Sequence, residues 1–164
     1  MTRRVFFSFH YERDVWRAGQ IRNSWVTKPN RETAGFWDSV EWEKVKSEGD
    51  VSIHRWIDKQ LEGTSVTVVL IGAETNDRPY INYEIQQSYN KKNGLLAIYI
   101  NNIKNQFGNT DTKGHNPFDY WYVPNNNNQK IYFNKFYCTY DWIMNSGYEN
   151  LGVWVERAAK DANK

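Results

Sequence analysis

The sequence predicts a three-layer α/β fold of the flavodoxin type, built on a five-stranded, mainly parallel central sheet. Three observations carry this expectation. Val66–Ile71 and Leu95–Ile100 are continuous runs rich in β-branched and aliphatic residues, the pattern of strands buried on both faces. Between strand signals lie segments whose apolar residues recur at three- and four-residue steps, the period of a helix with one buried side. Strands and helices alternate along the chain, as parallel strands joined by helical crossovers require. For five strands the flavodoxin-like order is the natural solution.

In chain order, Val5-Phe6-Phe7-Ser8-Phe9 reads as a short apolar strand. Val15, Ala18, Ile21 and Trp25 then give a helix, with Asp14 placed to cap it. Pro29 breaks the chain, and Thr33–Ser39 is a weak strand signal that contains Gly35. Trp56, Ile57 and Leu61 mark a second amphipathic helix that ends near Gly63, a C-cap residue. After the Val66–Ile71 strand, a helix carrying Glu84 is expected to bury Ile81, Ile85 and Tyr89. The Leu95–Ile100 strand follows. From about 101 to 135 the periodicity dissolves into Asn, Gly, Lys and Thr, too long for an ordinary connection and read as a functional insertion or a mobile flap. Phe136–Tyr140 is the last strand, and Tyr148, Leu151, Val155 and Ala158 define a closing helix. No internal repeat and no linker divides the chain, so 1–164 is expected to form one domain.

Composition narrows the classes of function. The chain has 164 residues, a net charge of +2 and 27 aromatic residues (8 Trp, 11 Tyr, 8 Phe). A mean hydropathy of −0.83 marks a polar surface, and no run approaches the ~18 apolar residues of a membrane span. Positive charge is scattered rather than clustered, which argues against a nucleic-acid partner. The apolar stretch after Arg3-Arg4 is interrupted by Ser8 and His10 and is too short for a secretory signal. With the single cysteine Cys138, read as a small core residue, this leads to an expected cytoplasmic location. Trp16, Trp25, Trp56 and Trp154 fall on apolar helix faces and are expected in the core. Trp121-Tyr122, inside the insertion, suggests a lid or a protein contact.

The candidate site is a carboxylate. Glu84 lies in the first turns of the helix that follows Val66–Ile71, and in open α/β sheets ligands bind beyond the carboxyl ends of the strands. Read alone, a glutamate there is an ordinary solvated residue favoured by the helix dipole. His10, His54 and His115 have no metal-ligand spacing, and Gly72-Ala73-Glu74 lacks the glycines and lysine of a phosphate loop. A phospho-receiver would need an acceptor Asp at the end of the central strand, where this chain has Gly72.

Three segments in order resemble TIR domains: the strand and loop Val5–Asp14, the strand Val66–Ile71, and Tyr80-Ile81-Asn82-Tyr83-Glu84-Ile85, similar to that family's Trp-x-x-x-Glu-Ile. Tyr140-Asp141-Trp142 and Gly147-Tyr148-Glu149-Asn150-Leu151-Gly152-Val153-Trp154 further resemble the TIR-like proteins of bacterial Thoeris anti-phage defence. Two positions depart from the TIR pattern: Tyr80 stands at the usual tryptophan, and His10 at the loop arginine.

The resemblance implies an enzyme that cleaves NAD to nicotinamide and a cyclic ADP-ribose isomer, with NAD as substrate and no further cofactor. It implies Glu84 as the catalytic residue. Ser8, Phe9, His10, Tyr11, Trp37, Asp38 and Tyr80 would line the NAD site. It also implies a separate effector that responds to the product, and self-association on activation. Two rival readings use the same residues: a non-catalytic TIR adaptor acting by self-association, and a flavodoxin-like nucleotide sensor that binds without turnover.

Overall fold

The computed structural model describes residues 2–36 and 39–164. Its main sheet contains β1 (Arg3–Ser8), β2 (Arg31–Ala34), β3 (Val66–Ile71), β4 (Gly94–Tyr99) and a last strand, β7 (Cys138–Asp141). All neighbours pair in parallel, in the spatial order β2-β1-β3-β4-β7, which is the flavodoxin-like arrangement. β3 is buried at every position, as its run of β-branched and aliphatic residues predicts for a central strand.

The pleat divides the core. Val5, Phe7, Val66, Val68, Leu70, Leu96 and Ile98 point to one face, where they meet Ala18, Ile21 and Trp25 of α1 (Tyr11–Val26) and Leu151, Trp154 and Val155 of α5 (Gly147–Asp161). On the other face, Phe6 packs against Ile53, Trp56, Ile57 and Leu61 of α3 (Asp50–Leu61), while Val69, Ile71, Leu95 and Ala97 pack against Ile81 and Ile85 of α4 (Pro79–Asn90). A short helix absent from the sequence reading, α2 (Ser39–Ser47), precedes α3. Trp37 and Asp38 lie outside the described residues.

Several sequence expectations need correction. Asp14 does not cap α1: the helix begins earlier, with His10 as N-cap, and Asp14 is fully buried inside it. Trp16 is 49% exposed rather than core, because the buried stripe of α1 runs through Asp14, Arg17, Ala18, Ile21 and Trp25. Tyr89 and Tyr148 are exposed, since α4 and α5 turn Ser88 and Leu151 inward instead. The last strand starts at Cys138, which is half-buried.

Residues 101–135 form the crossover between β4 and β7 rather than a flap over the fold. Phe118 and Phe133, each in a short 3₁₀ turn, are fully buried against the α4 face, filling the layer that a crossover helix would occupy. Trp121 packs on the same cluster and donates its indole N–H to Asn82 Oδ1 of α4 at 3.2 Å. The hairpin β5 (Tyr122–Pro124) and β6 (Lys130–Tyr132) projects from it. The first part of the crossover is clasped to α1. Arg17 donates to Ile103 O at 2.7 Å and to Asn109 O at 3.0 Å, and Arg13 reaches both oxygens of Asp111 at 3.0 Å. The approach is so close that a Cβ on Gly114 would sit 1.9 Å from Gly72 O, and one on Gly72 would sit 2.0 Å from Asp14 Oδ2. Any side chain at either position would force the crossover, β3 and α1 apart.

Candidate active site

β1 and β3 are neighbours whose outgoing connections lead to opposite faces, to α1 and to α4, so a crevice opens at their carboxyl ends. Ser8 is the last residue of β1, and the pleat that sends Phe7 toward α1 sends Ser8 toward α4. There its hydroxyl donates a hydrogen bond to Glu84 Oε2. Glu84 is 7% exposed, and Ser8 is fully buried. The solvated-residue reading of Glu84 therefore fails. Burial pushes its carboxyl pKa up to about 8, against the smaller opposing effect of the Ser8 bond. Glu84 is therefore mostly protonated at neutral pH.

The cleft in front of Glu84 is walled by Phe9, His10, Tyr11 and Glu12 at the start of α1, by Trp42 of α2, by Ile53 and Ile57 of α3, and by Arg78, Tyr80 and Ile81. Aromatic rings follow one another around it. Phe9 meets Tyr11 (6.3 Å between centroids), Tyr11 meets Trp42 (5.4 Å), and Trp42 meets Tyr80 edge-on (6.4 Å). The Tyr80 hydroxyl is anchored to Asp50 Oδ1 at 3.0 Å. The free space left is about 20 Å³, far below the several hundred Å³ of an open small-molecule site. The cleft is closed, and a ligand of small-molecule size must displace part of its wall.

His10 Nδ1 accepts the Arg13 backbone N–H at 3.3 Å, which places the proton of a neutral ring on Nε2. Burial, and then the Arg78 charge, lower the His10 pKa, so the ring is a neutral donor at physiological pH. Ser8, Phe9, His10, Tyr11 and Tyr80 thus converge on Glu84. Ser8 does so by holding the carboxyl itself rather than by facing the free space.

Residues 6–105 match the family described as Thoeris protein ThsB, TIR-like domain. The chain belongs to that family. A protein of Bacillus cereus (strain MSX-D12) named "Putative cyclic ADP-D-ribose synthase ThsB1" is 36% identical over 191 residues, covering 94% of this chain and 100% of the relative. The ThsB-family match contains Ser8, His10 and Glu84, and ends within the first residues of the crossover.

Two wall residues of this ThsB-family site escaped the sequence reading. Trp42 sits on α2, whose apolar residues Val40, Trp42 and Val45 keep no helical stripe. Arg78 is the N-cap of α4, ahead of Pro79. A cation at that end opposes the helix dipole, and this was a usable signal for an anionic ligand.

Because His10 both caps α1 and faces the cleft, the two roles can be separated. His10→Ala is expected to cost about 1 kcal/mol of stability through loss of the cap. His10→Asn keeps an Ncap acceptor and should restore stability without restoring affinity for a ligand in the cleft. Thermal melts paired with ligand titration check this; recovery of both by Asn would reduce His10 to a capping residue.

Proposed function

We propose that this chain cleaves NAD at the nicotinamide–ribose bond and joins the ends of the remaining ADP-ribose into a cyclic isomer, which signals to a separate effector in anti-phage defence. The observation that carries the reading is Glu84, a buried carboxyl held by Ser8 at the closed crevice of a ThsB-family fold. The name of the Bacillus cereus relative supports the product class.

Bond breaking needs little from the protein beyond electrostatics. The C1′–N bond electrons go to the nicotinamide nitrogen, so the cationic ring departs neutral and positive charge gathers on the ribose. A carboxylate fixed beside the ribose stabilises that charge. A nucleophilic atom of the same molecule then bonds to C1′, provided water is kept away. The aromatic walls Tyr11, Trp42 and Tyr80 and the small free volume suit that exclusion. Ionised Glu84 is the working form. NAD carries a pyridinium charge into the site, and that charge draws the Glu84 pKa downward on binding.

The closed cleft also bears on regulation. An isolated chain must open its wall to admit NAD, so purified protein is expected to release nicotinamide slowly, with specific activity rising on phage infection or forced self-association. Nicotinamide release from NAD, followed by chromatography with and without infected-cell lysate, tests function and regulation together. No release under any condition would favour the adaptor reading. Full activity in a dilute monomer, unchanged by infection, would remove the need for a trigger.

A further inference from the structure

A second and larger cavity lies at the other end of the sheet. Its volume is about 510 Å³, within the range of small-molecule sites. It is bounded by the first residues of β4 and β7 and by the last turns of α4 and α5. The catalytic crevice occupies the carboxyl ends of the strands, so the two sites are separated by the length of the sheet.

The lining has a definite chemistry. Tyr140 and Trp154 stack in parallel, with centroids 4.0 Å apart and planes 5° from coplanar, giving one flat wall. Tyr89 and Phe136 also line the cavity and are 39% and 42% exposed, leaving ring surface open to an occupant. Asn93 is 2% exposed, and its amide Nδ2 donates to Thr64 Oγ1 at 2.9 Å. Its Oδ1 has no hydrogen-bond partner among the described residues and is closed to solvent, so it lies behind the lining rather than open to the cavity. Arg157 and Lys92 supply positive charge; among the described residues neither has a carboxylate within ion-pair distance. Arg157 lies beside the Tyr140 hydroxyl. Among the described residues Asp161 is the one acidic member of the lining, against these two cations.

We propose that this cavity binds a mononucleotide-type ligand: a planar heteroaromatic ring carrying a phosphate. The ring occupies the aromatic walls, and the phosphate meets Arg157 and Lys92. A purely apolar occupant would leave both cations without an anion.

Cys138 provides a local readout, because it lines this cavity, is half-buried, and is the one cysteine in the chain. Its alkylation by iodoacetamide can be followed by mass spectrometry on the full chain, with AMP as probe and adenosine for comparison. AMP at about ten times its Kd should slow alkylation roughly tenfold. Arg157→Gln, on the exposed side of α5, should weaken AMP about tenfold through loss of the charge-assisted phosphate contact, and leave adenosine unchanged. Circular dichroism confirms that the variant is folded. Arg78→Ala, in the catalytic cleft, should leave protection intact, so failure here is distinguishable from failure of the NAD reading. Absence of protection up to about 10 mM AMP would overturn the proposal. So would equal protection in Arg157→Gln, loss of protection in Arg78→Ala, or calorimetric AMP binding that leaves Cys138 fully reactive.

Discussion

Glu84→Gln is expected to lower NAD turnover by about a hundredfold or more, and to leave a chain that is more stable than the parent in alkaline solution. The amide keeps the size of the side chain and an oxygen that can accept the Ser8 hydroxyl, so the packing of α4 on β1 and β3 survives. What is lost is the anion. The same burial that makes the carboxylate effective makes it costly. Its pKa stands at about 8 in the fold against an ordinary value of 4.5. A group raised in this way contributes stability that is fully present below the unfolded value and lost as pH rises through the folded one. The substituted amide never ionises, so the variant should melt several degrees higher than the parent near pH 9, with the gap closing toward pH 5. For the parent, kcat/KM should climb with pH through about 8, because the free enzyme must lose the Glu84 proton to work. Stability gained together with turnover lost is the mark of a functional group. Retained turnover in the folded variant would eliminate Glu84 as the catalytic residue, and an unchanged melt at high pH would show that its burial is relieved by water.

The strands were legible because their patterns have no helical alternative. Val66–Ile71 and Leu95–Ile100 carry apolar residues at consecutive positions, and the structure buries β3 completely and β4 except at Tyr99. Helix faces were less legible where a polar residue occupies the buried stripe. In α1 the inward positions include Asp14 and Arg17, so a search for apolar spacing took in Val15 and Trp16, which are 42% and 49% exposed. Arg17 is inside because the crossover needs it. Arg17 satisfies the carbonyls of Ile103 and Asn109, and Asp14 fills the space beside Gly72. The crossover itself was unreadable as a packed layer. It buries only scattered single residues, Phe118 and Phe133 foremost, and composition alone marks such a segment as loop. Glu84 was placed by the strand before it and the motif around it, whereas its burial depends on Ser8, 76 residues away, and on walls contributed by α2 and α3. No local pattern encodes that.

Arg78 is the residue expected to set NAD affinity. With histidine at the loop position where TIR domains place an arginine, and that ring neutral, the NAD diphosphate needs its positive charge from elsewhere. Arg78 lines the cleft and is half-buried, and its guanidinium has no ion pair or side-chain hydrogen bond among the described residues. Its charge already reaches its neighbours: it lowers the pKa of His10 after burial does, and adds a smaller lowering to Glu12, whose main influence is the Lys46 hydrogen bond. It also stands at the start of α4, where no side chain caps the helix and no acidic residue occupies the first turn, so unpaired backbone N–H groups add to the attraction for an anion. Arg78→Ala should therefore raise KM for NAD by about ten- to thirtyfold, the worth of one charged phosphate contact, with kcat within about threefold. Arg78→Lys should recover part of the affinity, since the charge returns without the two-pronged geometry of a guanidinium. A second readout is independent of NAD: removing Arg78 takes away one of the two influences that depress His10, so its pKa, followed by NMR, should rise. An unchanged KM accompanied by a raised His10 pKa would mean that Arg78 faces the cleft without touching the diphosphate, and the anion site would then have to be sought in the helix N-terminus alone.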